Sequence, residues 1–182
     1  HTAYRRQRQM CIRDSSTPAP CRTMIKDALK LMMRGTEDDV IEFIENARKE
    51  FKSLPPEEIA FPRTASNVQK YKSSSDIYVK GTPIHIRGAL LFNYYLRKKK
   101  LTNKYSAIEN GEKIKFLYLK KPNTIQENVL SFIQDFPTEF GLSQYIDYEL
   151  QFEKSFVYPL KAILDAIGWE VEKKVTLESF FS

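Results

Sequence analysis

Cysteine and histidine are scarce in this chain: Cys11, Cys21, His1 and His85 are all that 182 residues contain. Two thiols make no disulfide framework and fit a reducing compartment. With two distant imidazoles they form no metal-ligand spacing, which argues against a zinc site. The six glycines are isolated and supply no phosphate-cradling loop. No run approaches the roughly 18 apolar residues of a membrane span. The opening "HTAYRRQRQMCIRDSS" lacks the apolar centre of a secretory signal. No internal repeat is present, and no membrane partner is expected.

What the chain does have is aromatic bulk and an uneven charge. Hydrophobic residues make up 42% and aromatics 13% of it, enough to fill the core of one domain with appendages. The net charge of +6 is the residue of four unequal blocks. Residues 1–14 carry +3, residues 15–62 carry −2, residues 63–121 carry +11 and residues 122–182 carry −6. In the third block fourteen basic groups face only Asp76, Glu109 and Glu112. Solvated surface lysines are the bland explanation, but a field this concentrated fits a polyanionic partner better.

Periodicity predicts a helix-rich α+β fold with a small antiparallel sheet. A first helix opens near Pro18 to Cys21, buries Ile25, Ala28, Leu29 and Met32, and stops at Gly35. Thr36 caps a second, acidic in its first turn (Glu37, Asp38, Asp39), with Val40, Phe43, Ile44, Ala47 and Phe51 as its buried stripe; Pro55–Pro56 ends it. "EEIAFPR" (57–63) reads as a strand with Glu57 and Glu58 solvated. Pro83 opens a third helix to about Arg97, apolar at Ile86, Leu90 and Tyr94. "KIKFLYL" (113–119) alternates, with Ile114, Phe116 and Tyr118 facing in and Lys113 and Lys115 facing out, and "NVLSFI" (128–133) is its partner. A long helix from Asp147 to Gly168 buries Tyr148, Phe152, Phe156, Leu160, Ile163 and Ile167 and bends at Pro159.

Catalysis finds no support in these residues. The acidic cluster Glu37–Asp39 is explained by helix capping, and His85 has no nearby Asp or Cys to form a nucleophilic set. Binding does better. "TASNVQKYKSSSD" (64–76) offers hydroxyls, amides and the Lys70, Tyr71, Lys72 run, the groups that bond phosphate oxygens. "KGTPIHIRG" (80–88) sets Lys80, His85 and Arg87 at a helix start, where free N–H groups also favour anions. An ordinary serine-rich turn is the alternative for the first stretch. Phosphate contacts with little sequence readout are expected. "RKKK" (97–100) is explained by a solvated helix end at the negative pole of the dipole.

Several stretches together carry a resemblance: "SSTPAPCRTMIKDALKLMM", "IAFPRTASNVQKYKSSSDIYVKGTPIHIRGALLFNYYL", "NGEKIKFLYLKKPN", "YIDYELQFEKSFVYPLKAILDAIGW" and "LESFF". In that order they resemble the C-terminal part of family B replicative DNA polymerases of T-even-type tailed phages, over residues 15–182. The resemblance implies the end of the palm in 15–54, a DNA-binding thumb in 55–170, and a flexible clamp-binding tail in 171–182. It implies that Asn67, Lys70, Tyr71, Lys80, His85, Arg87, Lys113 and Lys154 face a primer–template duplex. Lys154 could equally pair with Glu149 or Glu153. The apolar ending "KKVTLESFFS" is then a peptide whose Leu177, Phe180 and Phe181 enter the groove of a sliding clamp.

The departures limit what is inherited. The family's metal-binding palm aspartates have no counterpart here, so no catalytic or metal residue is assigned. Mg²⁺ belongs to the parent nucleotidyltransferase, and the fragment alone is expected to be inactive. Residues 1–14 resemble translated adapter sequence and stand where the basic primer-gripping motif of the palm is expected. The expected setting is viral DNA replication in the cytoplasm of an infected bacterium. The rival readings are a stand-alone basic nucleic-acid-binding accessory protein that docks on a clamp, and a purely structural domain with a solvated basic face.

Overall fold

In the computed structural model, residues 16–172 are described. They divide into two units, one built from Ala19–Ser53 and the chain from Phe152 on, the other from Leu54–Gln151 with the short segment before Ala19.

The first unit is helical. Helices α1 (Ala19–Met32) and α2 (Glu37–Ser53) pair through Cys21, Met24, Ile25 and Ala28 on one side and Val40, Ile41, Ile44, Ala47 and Phe51 on the other. Thr36 begins α2 as the sequence predicts: its hydroxyl accepts the Asp39 N–H at 3.3 Å, and the Asp39 carboxylate accepts the Thr36 N–H at 2.7 Å. This reciprocal capping satisfies two donors that a helix start leaves open, and it holds the Asp39 carboxyl below its usual range. Phe51 meets Phe152 edge-on at 5.2 Å, Phe152 meets Phe156 at 4.9 Å, and Arg48 lies over the Phe152 ring while pairing with Glu153. The Cys21 thiol donates to the Ser155 hydroxyl in the interior, and burial pushes its pKa up to about 11.

The final helix is continuous from Tyr148 to Ile167 but not uniform. After α5 (Tyr148–Phe152) it widens into a π turn, Glu153–Val157, before α6 (Tyr158–Ile167). Pro159 has no N–H for the Ser155 carbonyl and its ring crowds that carbonyl, so the distortion falls in the turn before the proline. The wider turn delays the buried stripe by a residue. Leu164 is buried where Ile163 was expected, and Ile167 is half-exposed.

The second unit centres on a sheet in the order β1 (Phe61–Thr64), β2 (Lys113–Tyr118), β3 (Val129–Phe132), antiparallel throughout. The strand expected from residue 57 begins four residues later. Pro56, with its φ preset for helix, and two acids in the first turn make a helical turn instead, α3 (Pro56–Ile59). Glu57 is not solvated: its carboxylate accepts the Phe136 N–H at 2.9 Å and its backbone carbonyl accepts the Lys115 ammonium at 2.9 Å. That helical turn removes the next rung of the β1–β2 ladder, and a buried side chain replaces it. Gln151 donates to the Ile59 carbonyl at 2.8 Å and accepts the Tyr118 N–H at 3.2 Å.

Helix α4 (Ile84–Lys98) lies against β3. It is buried at Ile86, Gly88, Ala89, Leu90, Leu91, Phe92, Asn93 and Leu96, a broader surface than expected, while Tyr94 turns outward and is 38% exposed. Asn93 stitches the loop after the helix to it, exchanging hydrogen bonds with the Ile108 backbone at 2.9 and 2.7 Å. Leu117, fully buried, breaks the expected half-exposed pattern of β2.

Candidate nucleic-acid interface

The strand register decides which cations share a surface. Thr64 pairs with Lys113 and Pro62 with Lys115, so these four lie on one face; Phe61, Arg63, Ile114 and Phe116 lie on the other. Helix α4 covers the second face, with His85 6.4 Å from the Phe116 ring and its backbone carbonyl accepting the Ser131 hydroxyl. Lys113 and His85 are therefore on opposite sides of the sheet.

A cleft of about 550 Å³ opens at the β1–β2 ends, lined by Arg63, Thr64, Lys113, Lys115, Ser16 and Ile133 among others, with three cations and no acidic side chain among the described residues. Arg63 is anchored, donating from one nitrogen to the Ser16 and Pro62 carbonyls at 3.0 Å each. Lys113 is exposed and has no ion pair among the described residues. Sequence reading did not single out Arg63 or Lys115 as site residues: Lys115 shares the outer face with Lys113 by alternation alone, while Arg63, on the opposite face by register, lines the cleft only at the strand ends.

The loop after β1 carries a second group. Asn67 takes the left-handed conformation (φ 58°), which asparagine tolerates, and its N–H donates to the Asn110 side chain. The kink starts the short helical turn Val68–Tyr71, which buries Val68 and leaves Lys70 exposed. The Tyr71 carbonyl accepts the Val79 N–H at 3.1 Å, closing the loop. Within it the Ser73 hydroxyl accepts the Ser75 and Asp76 N–H groups, so that serine shapes its own turn. Lys72 and Lys80 are exposed, and neither has an ion pair among the described residues.

Arg87 is built into the fold. It donates to the Asn128 side chain at 2.7 Å and lies 5.8 Å from the Tyr78 ring centre, and its Nε is buried without a hydrogen-bond partner among the described residues. Tyr78 donates to Glu127, and burial together with that carboxylate raises the pKa of its phenol. Tyr78, Glu127 and Asn128 were not legible in the sequence, since each acts across tens of residues. Burial, and then the nearby Arg63, lower the pKa of His85, so it is neutral near pH 7 and adds no charge. Lys154 falls in the helical unit, exposed, with its ammonium 5.9 Å from the Tyr158 ring centre. Leu177, Phe180, Phe181 and residues 1–15 lie outside the described residues. Among the described residues no three His, Cys, Asp or Glu side chains are grouped to hold a metal ion, and no helix is long and apolar enough to cross a membrane.

The chain is 28% identical over 171 residues to the DNA-directed DNA polymerase of Enterobacteria phage T4, a match covering 92% of this chain and 18% of that protein. It is 29% identical over 172 residues to the DNA-directed DNA polymerase of Escherichia phage RB69, again over 92% of this chain and 18% of the relative. By sequence, this chain is similar to the T-even-type phage DNA polymerases. It spans less than a fifth of the length of these curated relatives. No family model matches. The relationship covers both units, including the Asn67–Arg87 segment and the strands that line the cleft.

Proposed function

We propose that this chain is the duplex-holding part of a DNA-directed DNA polymerase acting in viral DNA replication in the cytoplasm of an infected bacterium. Residues 15–54 end the palm, 55–170 form the thumb, and the tail after 170 docks a sliding clamp through Leu177, Phe180 and Phe181. The observation that carries the DNA reading is the set of exposed lysines at 70, 72, 80 and 113, in a chain related to polymerases, none ion-paired among the described residues. Cations left without an ion pair are available to displace counterions from a phosphate backbone. Asn67 and Tyr71 shape the loop that presents Lys70, and Arg87 stiffens the start of α4 behind it.

The parent enzyme uses Mg²⁺ for nucleotidyl transfer; among the described residues no three His, Cys, Asp or Glu side chains are grouped to hold such an ion, and no chemical step is assigned to them. The fragment alone is inactive in primer extension. The deciding experiment is a salt titration of duplex binding. Affinity should fall steeply, by roughly 10³-fold or more between about 50 and 200 mM salt if six or more phosphates are contacted, and a flat titration defeats the proposal.

A further inference from the structure

The far end of α4 carries a second cationic surface of different chemistry. Tyr94 and Tyr95 stand edge-to-face, 5.0 Å apart at 86°, and the Lys98 ammonium lies 5.8 and 5.6 Å from the two ring centres. Tyr95 leans on Phe140 at 6.3 Å, and Tyr94 is 38% exposed. Arg97, Lys98, Lys99 and Lys100 follow, all exposed, with no ion pair among the described residues. The nearby Glu139 is already paired with Lys104 and accepts from Tyr105.

The helix dipole accounts for cations in the last turn but not for all of this. Lys100 lies beyond that turn in the left-handed conformation (φ 55°), with the Leu101 N–H closing onto the Leu96 carbonyl at 2.9 Å. Glycine is the usual residue at this closing position, so a lysine there keeps a charge at some conformational cost. Nor does the dipole call for a solvent-facing tyrosine beside four positive charges.

We infer that the Tyr94–Lys100 corner binds single-stranded nucleic acid, the lysines and Arg97 following the phosphates while Tyr94 stacks on a base. A single strand is the partner whose chemistry uses both features. A duplex keeps its bases stacked on each other and offers Tyr94 nothing, and an acidic peptide would satisfy the cations but not the ring. Along α4, from His85 to Lys98, the rise is about 20 Å, so this corner is a separate contact from the residues at the helix start.

The test uses the whole chain with three probes: an oligothymidylate of about 20 nucleotides, an abasic strand of the same length, and oligoglutamate. The chain should prefer the oligothymidylate to both. Tyr94→Ala should weaken that binding about tenfold, leave the abasic strand and the melting temperature unchanged, and Tyr94→Phe should restore it. Equal binding of the thymidylate and abasic strands, or a Tyr94→Ala chain with undiminished affinity, would overturn the inference. So would oligoglutamate competing as well as the oligothymidylate, which would point to an acidic protein instead. A Lys70→Ala, Lys80→Ala, Lys113→Ala chain separates the two sites: it should lose duplex and keep the oligothymidylate. A chain that holds duplex but not the oligothymidylate sinks this inference and leaves the proposed function standing.

Discussion

Gly88 sits so close to Ser131 that a methyl group added to it would lie 2.4 Å from the serine hydroxyl oxygen and 2.7 Å from the serine nitrogen. The contact sets how near α4 can approach the central part of β3, and it fixes the helix that carries both cationic ends.

Replacing glycine by alanine inside a helix ordinarily gains roughly 0.5–1 kcal/mol. Gly88→Ala should instead destabilise the protein by about 1–3 kcal/mol through overpacking. Ser131→Gly should not rescue it, because the backbone nitrogen remains in the way. Thermal melts of the single and double variants check this, and an unchanged or raised melting temperature for Gly88→Ala would show that α4 can shift freely.

Lys70, Lys80 and Lys113 are exposed, so changing them together to Ala should leave the melting temperature nearly unchanged, weaken duplex binding on all sequences alike and flatten its salt dependence. Arg87→Ala should behave differently. It leaves Asn128 without its donor and Tyr78 without its cation, so stability falls along with affinity. Equal melting temperatures for Arg87→Ala and the lysine variant would remove that distinction.

His85 makes stability depend on pH. Its pKa in the folded state is below the ordinary imidazole value of 6.5, because burial and then Arg63 disfavour the charged ring. The unfolded chain therefore takes up the proton first as pH falls. The contribution is complete above the unfolded value and is lost as pH drops through it toward the lower folded value. Melting temperature should decline from about pH 7 to about pH 5, and His85→Gln should flatten part of that decline. Parallel curves for the two proteins would rule the histidine out as the cause.

In the proposed function the closing aromatics serve a partner. Phe180→Ala with Phe181→Ala should then abolish sliding-clamp binding, since aromatic anchors carry most interface energy, and leave the melting temperature unchanged. If the pair served the core, their loss would cost about 3–5 kcal/mol each. Clamp capture and thermal melts of one double variant decide between the two.

What the sequence made legible were features written in neighbouring residues. The Thr36–Asp39 cap, α4 from its opening proline, and the alternation of β2 with its partner each depend on spacing within one element. The turn at Glu57 was hidden because Phe61 and Arg63 read as strand while Pro56 imposes helix just upstream. Tyr94 was read as core from a three-residue stripe, but α4 buries so many adjacent positions that its rim falls elsewhere. The cleft was invisible for another reason: Arg63 and Lys113 are fifty residues apart in the chain and on opposite faces of the pleat, and only the antiparallel pairing of β1 with β2 sets their strand ends side by side. Lys70 and Lys80 stood out as candidates because charge clustering survives without knowledge of the fold. The bonds that organise Arg87, to Asn128 and Tyr78, leave no such trace.

Gln151 has a consequence for the order in which the sheet opens. Its side-chain amide stands in for a strand partner, so the Tyr118 amide proton is guarded by the first turn of α5 as well as by β2. In native-state hydrogen exchange, that proton should escape whenever the turn around Gln151 frays, ahead of protons held between β2 and β3. The Tyr118 amide is thus a local clock for the last helix, readable without unfolding the sheet.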